Sequence, residues 1–149
     1  HRPQDAIICA CDGVNYLDSL KAAEEFFEAA NAALKVGGLL LFDISSQYKL
    51  ENILGCNTFA EDEQGGAYIW KNNYDPESRL IEMNLTFFER QGGLYRRFTE
   101  RHIQRAHGVD ELLKALCRAG FDAEAYDFET MDPVKPDSER VQFSGRKRR

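Results

Sequence analysis

The chain has 149 residues, 43% of them hydrophobic and 11% aromatic, with a net charge of −6; it is long enough to bury a core as one domain, or the larger part of one. The acidic balance argues against a general nucleic-acid binder, which needs a basic face, and no apolar run approaches the ~20 residues of a membrane-spanning helix. The cysteines Cys9, Cys11, Cys56 and Cys117 form no CxxC pair and have no histidine at zinc-site spacing, so free thiols in a reducing cytoplasm are expected, with no metal.

The run Ala6 to Ala10 predicts a strand, and the small and polar residues Cys11, Asp12, Gly13, Asn15 and Tyr16 follow it at once. In an open α/β sheet ligands sit just past the carboxyl ends of the strands, so this junction is a candidate site. Asp18 and Ser19 offer caps for a helix whose apolar positions Leu20, Ala23, Phe26, Phe27, Ala30 and Leu34 recur at threes and fours. Its stop is expected at Gly37-Gly38, before a buried strand Leu39 to Phe42. Strand, helix and strand make a right-handed βαβ unit with parallel strands, placing Asp12 and Asp43 along one lip of the sheet.

Tyr48 to Leu54 predicts a short helix and Glu61 to Gly66 an acidic loop. From Ala67 the period becomes two. Three strands, reaching to Ala106 and joined by turns at Asp75 to Ser78 and Gln91 to Gly93, predict an antiparallel meander. Tyr68, Trp70 and Tyr74 share one face, a pattern more typical of core or interface than of a site. Arg97, Arg101 and Arg105 alternate along another strand face. They suit a carboxylate-bearing acceptor, which arginine binds bidentately, or a solvated surface. Glu100 and His102 lie on the face opposite the arginines. Val109 opens a second helix stopped by Gly120; Phe121 to Phe128 and Arg140 to Gly145 predict a closing hairpin that brings in an antiparallel strand.

Asp12-Gly-Val-Asn15-Tyr16, Leu34-Lys-Val-Gly-Gly-Leu-Leu-Leu-Phe-Asp43, Glu100-Arg-His102-Ile-Gln-Arg105-Ala and the helix before Gly120-Phe121 together resemble the C-terminal two-thirds of a class I S-adenosylmethionine-dependent methyltransferase. Within that class the chain is most similar to the bacterial small-molecule type, with a β-meander after the fifth strand. The resemblance implies an α/β fold: a partial Rossmann-like sheet of strands 4-5-7-6, the last antiparallel, in one partial domain over 1–149 with a three-stranded insertion over 67–106.

It implies S-adenosylmethionine as cofactor, held on this chain by Cys9, Ala10 and Cys11, largely through main chain. Asp12, Asn15 and Tyr16 are the implied catalytic candidates, with helix capping and ring packing as the competing reading of Asn15 and Tyr16; His102 joins them from its strand face, as a general base if it turns inward, with a structural histidine as its competing reading. Asp43, Tyr48, Trp70, Arg97 and Arg105 are the implied acceptor-binding candidates. The family's glycine-rich cofactor loop would lie upstream of His1, because Gly37-Gly38 precedes a strand and Gly92-Gly93 sits in a hairpin. The isolated chain is therefore expected to be inactive, and Ala6 to Ala10 to be an interior strand that pairs with a second copy or with an N-terminal segment. The alternative is a non-catalytic dimerising or binding module built on the same fold.

Overall fold

Leu40, Phe42 and Ile44 are wholly or almost wholly buried on one face of a strand, and the larger core of the molecule forms against them. A computed structural model describes residues 2–149. In it Gln4–Cys9 (β1) pairs in parallel with Leu34–Ser45 (β2), as the βαβ reading requires. Leu20–Ala33 (α1) joins them, its first turn capped by Ser19, whose hydroxyl accepts from Ala22 N at 3.1 Å. Val109–Arg118 (α2) buries Leu112, Ala115 and Leu116, and the Glu111 carboxylate accepts from Gly108 N at 2.8 Å to cap it. The Phe27, Phe42 and Phe143 rings pack in sequence, at 5.4 and 4.7 Å between centroids. Each such ring stabilises the fold by roughly 1.5–3 kcal/mol through burial.

Phe121–Asp127 (β7) and Arg140–Lys147 (β8) complete this sheet, in the order β1-β2-β8-β7, with β8 antiparallel to both neighbours. The helix does not run to Gly37-Gly38. It ends at Ala33, and both glycines lie inside β2. There the β1 register slips from Gln4↔Leu34 to Ala6↔Leu39, so the glycines form an irregularity in the strand. A Cβ on Gly38 would come within 2.9 Å of Lys35 O and 3.1 Å of Asp5 O, which is why a small residue is needed there.

The second sheet is antiparallel and four-stranded, where a three-stranded meander was expected. Thr58–Glu63 (β3), Gly66–Asp75 (β4), Leu80–Gln91 (β5) and Leu94–Arg105 (β6) pair in chain order. Of the stretch expected as an acidic loop, Glu61 to Glu63 belong to β3. It is an edge strand, and outward charge is how edges avoid further pairing. Register places Phe59, Trp70, Leu85 and Glu100 in one row across the sheet, with Asn72, Met83 and His102 beside it. At the inner end of that face Leu50 and Leu54, from the π-helical segment Lys49–Leu54, cover Tyr74, Ile81 and Met83 and make a second core.

Candidate active site

Two consecutive left-handed residues, Cys11 at φ 59° and Asp12 at φ 60°, turn the chain sharply after β1. Non-glycine residues are uncommon in this region; each costs of order 1–3 kcal/mol and persists only where its surroundings fix it. The fixing group is Asp43 at the end of β2. Its carboxylate accepts from Cys11 N at 2.9 Å and Asp12 N at 3.3 Å, and from Arg140 Nη1 at 2.9 Å. Asp12 Oδ1 lies 3.2 Å from Arg140 Nη2 without hydrogen-bond geometry, a charge contact only. Asp12 and Asp43 do share a lip of the sheet, as expected, but their partner there is Arg140. Asp43 is 4% exposed and fastens the turn, a role different from the acceptor contact expected of it.

The turn leads into a 3-10 segment, Gly13–Tyr16. Asn15 is fully buried: its amide donates to Ser45 O and Arg105 O, both at 3.0 Å, and accepts from Ser45 N at 3.0 Å. The catalytic role expected of Asn15 gives way to a structural one, because these main-chain groups occupy the amide. Its contacts tie the end of β2 to the end of β6. Tyr16, next in the chain, is 49% exposed. Its hydroxyl lies 3.0 Å from His102 Nδ1, and His102 Nε2 lies 3.2 Å from Glu100 Oε2. Tyr16 and His102 also meet edge to face at 5.9 Å. Residues 86 positions apart are thereby brought together at the carboxyl end of β1.

A proton on His102 Nε2 would be donated to Glu100, leaving Nδ1 to accept from the tyrosine hydroxyl. Such an arrangement can take a proton from a group that approaches Tyr16. The roomier hollows of the surface lie elsewhere. One of about 500 Å³ is lined by Ile69, Phe88 and Tyr95, and one of about 540 Å³ by Leu113, Phe121 and Arg146.

No family model matches this chain. Over 145 residues, 96% of its length, it is 32% identical to the Bacillus subtilis protein named "Putative methyltransferase YqeM", 58% of which is covered. It superposes with a TM-score of 0.93 and 32% identity on the crystal structure of an S-adenosylmethionine-dependent methyltransferase from Clostridium acetobutylicum, over 99% of this chain and 60% of that one. This chain is similar to these methyltransferases over nearly its whole length. It spans about three-fifths of the length of those it matches. The amino pentose methyltransferase CalS10 from Micromonospora echinaspora, solved with S-adenosylmethionine bound, shares the fold at 17% identity and a TM-score of 0.75. The relatives do not favour the non-catalytic alternative.

Against this methyltransferase background the remaining candidates separate. The Cys9 thiol packs on the main core, and burial, reinforced by the Asp43 charge, pushes its pKa up. Ala10 and Cys11 are exposed, although the Cys11 N–H is taken by Asp43. Trp70 packs on Phe59 at 5.5 Å, on the face that carries His102. Arg97 and Arg105 lie on the opposite face, because strand period two separates them from His102. Arg105 donates to Ser78 O at 3.4 Å and lies 4.0 Å from Glu111. The acceptor-binding role expected of both arginines therefore does not join the Tyr16–His102 site. Tyr48 edges a separate hollow of about 220 Å³ with His107 and Lys135.

Arg140 and His107 gave no sequence motif. The available signal for Arg140 was its place at the start of a strand antiparallel to β2, which sets it opposite Ser45, two residues beyond Asp43. All four cysteines are free thiols. Among the described residues no group of three His, Cys, Asp or Glu side chains is placed to hold a metal. Among these residues, too, no helix is long and apolar enough to cross a membrane.

Proposed function

We propose that this chain is the acceptor-side part of an S-adenosylmethionine-dependent methyltransferase that acts on a small molecule, with Tyr16 and His102 at the reacting centre. The observation that carries the reading is the 3.0 Å contact between Tyr16 Oη and His102 Nδ1, backed by Glu100. The residues present fit one wall of a cofactor site. Ala10 and Cys11 are exposed at the carboxyl end of β1, where the left-handed turn bends the main chain away. S-adenosylmethionine, when bound, supplies an electrophilic methyl group on a sulfonium.

The chain's own part is to align the acceptor at near-attack distance and to receive its proton. The Tyr16 hydroxyl would contact the acceptor heteroatom. His102 Nδ1 would draw the proton through that hydroxyl, while Glu100 holds the ring and stabilises the imidazolium that forms. Asp43, held in turn by Arg140, supports this centre from behind by fixing the turn that presents Tyr16. The Trp70 row forms the apolar floor beside it.

Titration of the full-length protein with S-adenosylhomocysteine tests the cofactor assignment: saturable one-to-one binding is expected, and its absence refutes the reading. For the centre, Tyr16→Phe and His102→Gln should each lower the turnover of a transferable acceptor by about 10²-fold, with S-adenosylhomocysteine affinity within twofold of wild type. Unchanged turnover in both variants would remove the proposed roles.

A further inference from the structure

The face of the second sheet that carries His102 continues outward past Trp70. Its next row is Glu61, Tyr68, Phe87 and Phe98, one residue from each strand, and the row after it holds Glu63, Glu89 and Arg96. The Phe87 and Phe98 rings are stacked at 5.0 Å, and Tyr68 lies 6.4 Å from Phe87. These rings floor a hollow of about 350 Å³ walled by Glu61, Glu63 and Glu89. Phe98 stays 37% exposed. Three carboxylates face one guanidinium, and that guanidinium, Arg96, is already 3.8 Å from Glu89 and 5.8 Å from the centre of the Phe98 ring. The hollow combines partly exposed aromatic side chains with surplus negative charge, and the Arg96 guanidinium over the Phe98 ring shows that this row already accommodates a planar cation. A neutral apolar occupant would leave the acidic wall unused, and an anion would be repelled by it.

We propose that the Tyr68–Phe87–Phe98 hollow is a subsite for a positively charged group, an alkylammonium or a guanidinium, at one end of the methyl acceptor. Phe98 and His102 are four residues apart on one strand face, a separation of roughly 13 Å. The acceptor is then an elongated molecule whose cationic end lies about that far from the methylated atom. This assignment rests on Tyr16 and His102 being the reacting centre, but a binding measurement tests the hollow without any methyl transfer.

The probes are choline and its uncharged isostere 3,3-dimethylbutan-1-ol, followed in the full-length protein by the NMR shifts of the Tyr68, Phe87 and Phe98 ring protons. Choline should move those resonances saturably, and the isostere should bind about fivefold more weakly or worse. The double substitution Glu61→Gln with Glu63→Gln, on an exposed edge strand, should cost choline a similar factor while leaving the amide spectrum of the core unchanged. Phe98→Leu should weaken choline as well. Equal binding of the two probes, or choline shifts confined to other residues, would overturn the subsite. So would sedimentation showing a second copy seated over these rings. Failure of Tyr16→Phe to slow transfer, with choline binding intact, would count against the reacting centre alone.

Discussion

Asn15 shows how one side chain can join two substructures. Its three hydrogen bonds reach Ser45 at the end of β2 and Arg105 at the end of β6, and the site pair Tyr16–His102 sits directly beside this joint. Asn15→Ala would leave buried Ser45 N and two carbonyl oxygens without that partner. Each buried polar group left unpaired costs about 1–3 kcal/mol. A loss of about 3 kcal/mol or more is expected in urea unfolding, together with separation of the Tyr16 and His102 rings. Asn15→Asp should do little better, since its carboxylate would face two carbonyl oxygens. A midpoint unchanged in Asn15→Ala would show that the joint is held elsewhere.

At the scale of elements, what could be read from sequence depended on whether neighbours along the chain carried the information. The apolar spacing of α1 and α2 and the buried run in β2 declare themselves within a few residues, and their burial agrees. Strand β3 does not declare itself: Glu61, Asp62 and Glu63 look like a solvated loop, and only pairing with β4 makes them a strand. The Gly37-Gly38 pair reads as a helix stop by local rules, yet β1 pairs across it and turns it into a strand irregularity. Of the site, Tyr16 and His102 could each be suspected from their place next to a strand end or on a strand face. That they touch, and that Arg140 claims Asp12 and Asp43, depends on long-range register. Gly38→Ala should lower stability by about 1–3 kcal/mol through contact with two main-chain oxygens, whereas Gly65→Ala, with open space around it, should stay within about 0.5 kcal/mol of wild type.

At the scale of the whole molecule, two sheets with separate cores are held as one unit by a few polar contacts where β6 runs into α2. His107 is one of them, as deeply buried as Asn15. It is fully inaccessible, and its Nε2 donates to Leu17 O at 2.9 Å, which fixes the neutral ring with Nδ1 unprotonated. Nδ1 has no hydrogen-bond partner and lies 3.8 Å from Glu111. Arg79 and Arg105 border the same space. Burial lowers the His107 pKa below its usual 6.5, and the positive charge of Arg105 adds to the effect; the bond to Leu17 O and the Glu111 charge oppose it.

Below pH 6.5 the unfolded chain binds a proton at this histidine while the folded chain does not, so stability falls as the pH drops from 6.5 toward the lowered folded value. The steepest slope for one proton is about 1.4 kcal/mol per pH unit. Urea midpoints measured between pH 7 and pH 5 should therefore decline in the wild type and in His102→Gln. They should be nearly level across that window in His107→Gln, even though its overall stability is lower. A decline of equal steepness in His107→Gln would move the acid sensitivity of the joint between the sheets away from His107.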